Sequence, residues 1–141
     1  MIRQAEPQDL AAVLALLSEA KLPVDGVAEH FHSFFVVDDG GRIVASAGLE
    51  LRGDAALLRS LVVSPDVRDT GLGAALLRRA LHEVHDRAGG VYALTTTAEA
   101  YLSRFGFATV PRDSLPAQLF ESRELQDACP ATAAVMKWVR P

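Results

Sequence analysis

The stretch that most constrains this chain is an apolar run, Ala56 to Val63, leading through Ser64-Pro65-Asp66-Val67-Arg68-Asp69-Thr70-Gly71-Leu72-Gly73 into a helical pattern. The run reads as a strand. From Gly73 to His85, Leu76, Leu77, Ala80, Leu81 and Val84 recur at helical spacing; Gly89-Gly90 stops that helix, and Val91 to Leu94 reads as a buried strand. Strand, glycine-bearing loop, helix and strand in succession place the chain in the α/β class.

The flanking segments extend this unit. Ile2 to Ala5 reads as a short strand, and Pro7 suits the first turn of a helix, where its missing N–H would be unpaired anyway. Leu10, Val13, Leu14 and Leu17 form one apolar stripe of that helix, which ends at Leu22-Pro23-Val24-Asp25-Gly26. After a loop or short helix around Val27 to His32, three strands follow as an antiparallel meander. Phe34 to Val37 is bounded by Asp38-Asp39-Gly40-Gly41, and Ile43, Ala45, Ala47, Leu49 and Leu51 then alternate with their neighbours at a period of two. Gly53-Asp54 turns into the third. Downstream, Ala98 to Arg104 reads as a short helix, Phe107 to Val110 as a strand and Ala133 to Val139 as a final strand. The sum is one domain over residues 1–141, with a mixed sheet and flanking helices. No repeat, low-complexity tract or linker divides it.

The loop carries the chemistry. Gly71 and Gly73 remove side chains where backbone must approach another group closely, and the helix that follows presents N–H groups without intrahelical partners. Such a helix start attracts anions, and Arg68 adds forked donors suited to phosphate. The ligand implied is a diphosphate or similar anion. A Walker loop needs a Gly-Lys-Ser/Thr ending that is absent here, and a dinucleotide fingerprint needs a third glycine near Leu76. A glycine-bearing helix cap without a ligand is the alternative.

Composition excludes several partners. With 18 acidic and 14 basic residues and a net charge of -4, the chain has no clustered basic face for nucleic acid. Its longest apolar helical stretches are too short for a bilayer, and its start has no basic head with an apolar run. The single cysteine, Cys129, cannot form an internal disulfide, which predicts a reducing, cytoplasmic setting.

Arg-x-x-Gly-x-Gly after a strand ending Leu-Val-Val-x-Pro resembles the acetyl-coenzyme A loop of the GNAT N-acetyltransferase superfamily, and the order of elements matches over essentially the whole chain. The resemblance implies a mixed, mostly antiparallel sheet of six or seven strands with two splayed middle strands. It implies acetyl-coenzyme A as cosubstrate, its pyrophosphate on Arg68, Asp69, Thr70, Gly71, Leu72, Gly73 and Ala74. Its pantetheine arm would pair with backbone of Leu61, Val62 and Val63. Segments Leu94 to Tyr101, Arg104 to Phe107, Glu121 to Glu124 and Cys129 to Ala131 are similar to N-acetyltransferases of arsenic-resistance operons and to the acetyltransferase domain of N-acetylglutamate synthase. Those relatives suggest a small amine acceptor of amino-acid type, such as a glutamate analogue carrying arsenic or phosphorus. Relatives often form homodimers, although no stretch here fixes an interface.

The chain departs from the family where a tyrosine commonly protonates the departing thiolate. Aligned on Gly106-Phe107, that position holds Leu102, with Tyr101 before it. Tyr101 and Ser103 are the remaining candidates for the proton donor, with core packing the alternative for Tyr101. Glu50 is the candidate base, or else an exposed polar position on a half-buried strand. Arg59, beside Ser60, could grip an acceptor carboxylate or could be a salt-bridged surface residue; Arg123 is a second candidate. His82 and His85 read as solvent-facing, His30 and His32 as residues of a loop near the acceptor site, and no metal site is expected. A coenzyme-binding sensor or partner-binding module without catalysis, and an enzyme acting on protein or peptide amines, are the competing functions.

Overall fold

The computed structural model describes residues 1–122 and 133–139. Arg123 and Cys129 lie outside these residues. The strands are β1 (Ile2–Gln4), β2 (Phe34–Asp39), β3 (Arg42–Arg52), β4 (Ala55–Val63), β5 (Gly90–Thr95), β6 (Phe107–Thr109) and β7 (Ala134–Trp138). Four helices accompany them: α1 (Leu10–Glu19), α2 (Val27–His30), α3 (Leu72–Val84) and α4 (Glu99–Ser103). The sheet has seven strands in the order β1-β2-β3-β4-β5-β7-β6. The β4–β5 pair is parallel and all the others are antiparallel, as expected for a meander joined to β-α-β.

Both faces of the sheet are covered. Leu76, Leu77, Ala80, Leu81 and Val84 of α3 pack with Ala45, Ala47 and Leu49 of β3 on one side. On the other, Val13 and Leu17 of α1 and Val27 of α2 pack with Phe34 and Val36. This corrects the expectation of a half-buried β3. Its alternation marks two different covered faces, and the strand is buried from Val44 to Glu50. Helix α3 also ends at Val84, short of Gly89-Gly90; Gly89 instead donates its N–H to the Asp54 carbonyl.

Gly48 shows how tightly that second face is filled. A Cβ there would collide with the ring of Phe34, which is itself fully buried and paired with Gly48 in register. Gly48→Ala is therefore expected to cost about 1–3 kcal/mol through overpacking. Urea denaturation checks this, and a midpoint equal to wild type would show that the ring can move aside.

Two local features shape the middle of the sheet. Between the pairs Ser46–Val62 and Gly48–Arg59, the single residue Ala47 faces Ser60 and Leu61, which is a β-bulge in β4. The parallel pairing of β4 with β5 runs from Ala55–Gly90 to Leu58–Ala93 and then stops. Beyond Leu58 the two strands splay, as the family resemblance implied.

Candidate active site

A cleft of about 670 Å³ opens where β4 and β5 part. Its walls are the edge of β4 from Leu58 to Val63 and Ala93, Leu94 and Thr95 of β5. One end is the loop before α3, with Arg68, Asp69, Gly71, Gly73 and Ala74. Arg59 and Ser60 of β4 also line it, as do Leu22 and Pro23 from the segment after α1.

At the loop end the backbone is built for an anion. Asp69 (φ +65°) and Gly71 (φ +84°) hold left-handed conformations, and Gly71 is the N-cap of α3. The first helical bond runs from the Ala75 N–H to the Gly71 carbonyl, so earlier N–H groups at the helix start remain for a ligand. The loop is pinned at its origin: Arg42 donates to Asp66 at 2.8 Å, and the Ser64 N–H donates to the Val44 carbonyl at 2.7 Å. Arg42, ahead of Ser64's hydroxyl, holds the Asp66 carboxyl well below the usual carboxylate range. A Cβ on Gly73 would stand 3.0 Å from Val63 Cγ2 and 3.4 Å from the Tyr101 hydroxyl, filling the floor of this site. A diphosphate fits these residues on two counts: a cradle that only glycine leaves open, and a guanidinium at its edge.

The other chemistry-bearing group is a buried cluster centred on Glu50, which is 1% exposed. Its Oε2 accepts from Arg59 Nη1 at 2.7 Å and from the Ser122 hydroxyl at 3.0 Å. Its Oε1 accepts from Arg52 at 2.8 Å, and His30 Nε2 lies 3.5 Å from it. Burial alone would raise the Glu50 carboxyl, but hydrogen bonds from Arg59 and Arg52 and the neighbouring positive charge hold it below its ordinary value. For His30, burial dominates and lowers its affinity for a proton.

These placements redistribute the candidates. Leu61, Val62, Val63, Arg68, Asp69, Gly71, Gly73 and Ala74 all line the cleft. Thr70 turns its hydroxyl onto the Val67 carbonyl at 2.6 Å, and Leu72 packs against the core. Tyr101 lines the cleft, half-buried, with its ring against Phe105. Leu102, buried, lines it too. Ser103 is exposed and donates to the Glu99 carbonyl at 2.8 Å. Glu50 is neither exposed nor part of the cleft wall; it stands behind Arg59, which is 3% exposed and does line the cleft. His82 and His85 are exposed and stacked on each other, and the described residues contain no group of metal-ligating side chains. Among them, no helix is long and apolar enough to cross a membrane. Leu22 and Pro23, read from sequence only as a helix end, gave no signal of their place at the cleft.

A seven-stranded sheet that splays around a cleft, with a glycine-bearing anion loop at its mouth, defines an acyl-coenzyme A-binding acetyltransferase fold. The acetyltransferase (GNAT) domain family matches residues 30–109, more than half the chain, and the chain belongs to that family. An uncharacterized N-acetyltransferase from Chlorobaculum tepidum is 23% identical over 101 residues, covering 71% of this chain and 65% of that protein. The chain thus spans slightly under two thirds of that relative's length. Among solved structures, N-acetylglutamate synthase from Neisseria gonorrhoeae, complexed with coenzyme A and N-acetyl-glutamate, superposes with a TM-score of 0.81 at 22% identity. That match covers 99% of this chain and 35% of the synthase. A Mycobacterium tuberculosis protein in complex with CoA superposes at 0.82 with 21% identity, covering 100% of this chain and 99% of that one. At these identities the superpositions show the shared fold.

Proposed function

We propose that this chain is an acetyl-coenzyme A-dependent N-acetyltransferase whose acceptor is a small, amino-acid-like amine bearing a carboxylate. In such a reaction a neutral amine attacks the thioester carbonyl. The carbon–sulfur bond breaks, and one proton passes from nitrogen to sulfur, leaving an amide and a thiol. The observation that carries the acceptor class is Arg59, a residue of the same cleft as the anion loop, whose covered guanidinium is held by Glu50 and Ser60. A forked cation at that position matches the geometry of a carboxylate. Coenzyme A bound to structural neighbours, and N-acetyl-glutamate bound to one of them, support the reading. A cytoplasmic setting belongs to it, supported by the single cysteine.

Within this proposal the loop from Arg68 to Ala74 holds the pyrophosphate, and the unpaired β4 edge at Leu61 to Val63 holds the pantetheine arm. Tyr101 is the cleft-lining hydroxyl of α4 and supplies a hydrogen bond to the coenzyme or its departing thiolate. Glu50, already engaged by Arg59 and Arg52, anchors the acceptor-binding arginine rather than collecting the proton.

Thiol release from acetyl-coenzyme A tests the proposal. The panel is glutamate, its phosphorus and arsenic analogues, other amino acids, and amines without a carboxylate. Turnover is expected with carboxylate-bearing acceptors, and Arg59→Ala should lower kcat/KM for them about 100-fold by removing a buried charge partner. Arg59→Lys keeps the charge but loses the fork, so it should rescue only in part. Preference for carboxylate-free amines would overturn the acceptor class. The apolar Leu102 at the usual tyrosine position favours a second reading, a coenzyme-binding protein without catalysis. Tight coenzyme binding with no thiol release across the panel would select it.

A further inference from the structure

The charges that line the cleft are unevenly matched. Arg59 has its carboxylate in Glu50, but Arg68 and Arg104 line the same cleft, and Asp69 is the one acid among the described residues there. The chain as a whole carries a net charge of -4, so this excess of cations is local. Arg68 gives its Nε to the Val63 carbonyl at 3.2 Å, which leaves both Nη groups at the loop. Arg104 closes α4 one turn beyond Tyr101 and is exposed. Its guanidinium carbon stands 5.4 Å from the centre of the Tyr101 ring, and among the described residues no carboxylate pairs with it. That ring is fixed in turn. It packs against Phe105 with 5.1 Å between centroids, and its hydroxyl lies 3.4 Å from where a Gly73 Cβ would stand, at the start of α3. The stack therefore holds a guanidinium, already ordered on an aromatic face, beside the anion loop.

We propose that Arg104 binds the 3′-phosphate of coenzyme A and so sets a preference for the complete coenzyme over thioesters that lack that phosphate. Coenzyme A carries its pyrophosphate on the 5′ oxygen of a ribose and a further phosphate on the 3′ oxygen, one sugar away. With the pyrophosphate on the loop from Arg68 to Ala74 and the pantetheine arm along β4, the ribose emerges at the loop end of the cleft, where Arg104 rests on Tyr101. This rests on the reading of that loop as the pyrophosphate site. A terminal phosphate is doubly charged near neutral pH and accepts two parallel N–H bonds from one guanidinium. A phosphopantetheine thioester, free or on a carrier protein, has no 3′-phosphate and forgoes the contact.

Calorimetric titration of coenzyme A and of 3′-dephospho-coenzyme A into the full chain reads this contact without turnover. Wild type is expected to bind coenzyme A about tenfold more tightly than the dephospho form, the worth of one charge-assisted contact at an exposed site. Arg104→Gln should weaken coenzyme A about tenfold and leave the Kd for the dephospho form within about twofold of wild type, so the preference disappears. Arg104→Lys keeps the charge without the fork and should retain part of it. Added salt should shrink the wild-type preference, because the pair is open to solvent. Arg78→Gln removes the neighbouring cation, whose guanidinium carbon lies 5.5 Å from the Phe105 ring centre, and should leave the preference intact. Thermal melts of each variant report whether the fold holds. A role limited to packing on Tyr101 would weaken both ligands alike in Arg104→Gln, and that result overturns the inference. So does a wild type that binds the two ligands equally, or a preference lost in Arg78→Gln and kept in Arg104→Gln; in each case the pyrophosphate loop stands. A wild type that binds neither ligand overturns both.

Discussion

Glu50→Ala is expected to remove about 3–5 kcal/mol of stability, because it strands a buried positive charge with no counterion. The side chain of Arg59 has no exposed surface and that of Arg52 little, so water cannot replace the lost carboxylate. The Ser122 hydroxyl, fully buried, loses the same acceptor. Glu50→Gln keeps the shape and one acceptor oxygen and should cost less, which isolates the charge. Urea denaturation at neutral pH measures both, and a loss below 1 kcal/mol for the alanine variant would mean that the arginines reach solvent by a small rearrangement. The same cluster sets a pH dependence. The Glu50 carboxyl is held below its ordinary value, so its contribution is present above the ordinary carboxyl range and disappears as pH falls through its folded value. His30 also binds its proton less readily in the fold, so stability declines as pH drops below the ordinary histidine value. Two acid-side steps are expected, and the first should vanish in His30→Gln.

Gly73→Val is expected to lower coenzyme A affinity about 100-fold or more while the fold survives. Two hydrogen bonds from backbone N–H groups to a phosphate, each worth about 1.5–3 kcal/mol, would be displaced. Gly73 lies within α3, so the substitution does not meet a forbidden backbone; the obstacle is the space that the β-carbon and its methyls occupy between Val63 and Tyr101. Calorimetric titration of coenzyme A, alongside a thermal melt, checks this. Unaltered affinity would place the pyrophosphate elsewhere and remove the main support for the loop's role.

The contrast between these two sites shows what was readable in the chain. The anion loop was legible because its parts are adjacent: strand, Arg68, Gly71, Gly73 and helix follow one another within a dozen or so positions, and their spacing alone states the geometry. The splay of the middle strands came with the family resemblance that this stretch carries, whereas the place of β7 between β5 and β6 had no sequence signal. The Glu50 cluster was not legible, because its members come from β3, β4, α2 and the segment at Ser122, brought together only by folding. A bulge shifts the β3–β4 register by one residue, and no periodicity announces it in Arg59-Ser60-Leu61. The alternation along β3 suggested one wet face, and only the packing of α1 and α2 showed that both faces are dry. Glu50 thus looked like either a base or an exposed residue; it is buried, with its carboxylate held by Arg59, Arg52 and Ser122. Ser103, a proton-donor candidate in sequence, is exposed and donates its hydroxyl to the Glu99 carbonyl.

The position of β7 makes one wall of the cleft depend on a distant stretch of chain. β7 follows every other described strand in the chain, yet it lies between β5 and β6, and among the described residues β6 has no other strand partner. Without β7, Gly90–Thr95 presents a bare, apolar rim and Phe107–Thr109 lacks its strand partner. One wall of the ligand groove is therefore an incomplete edge until residues 134–138 pair with it. Such a rim is the kind that recruits chaperones or neighbouring nascent chains. The cleft wall is thus completed by the docking of β7 rather than by the meander that precedes it.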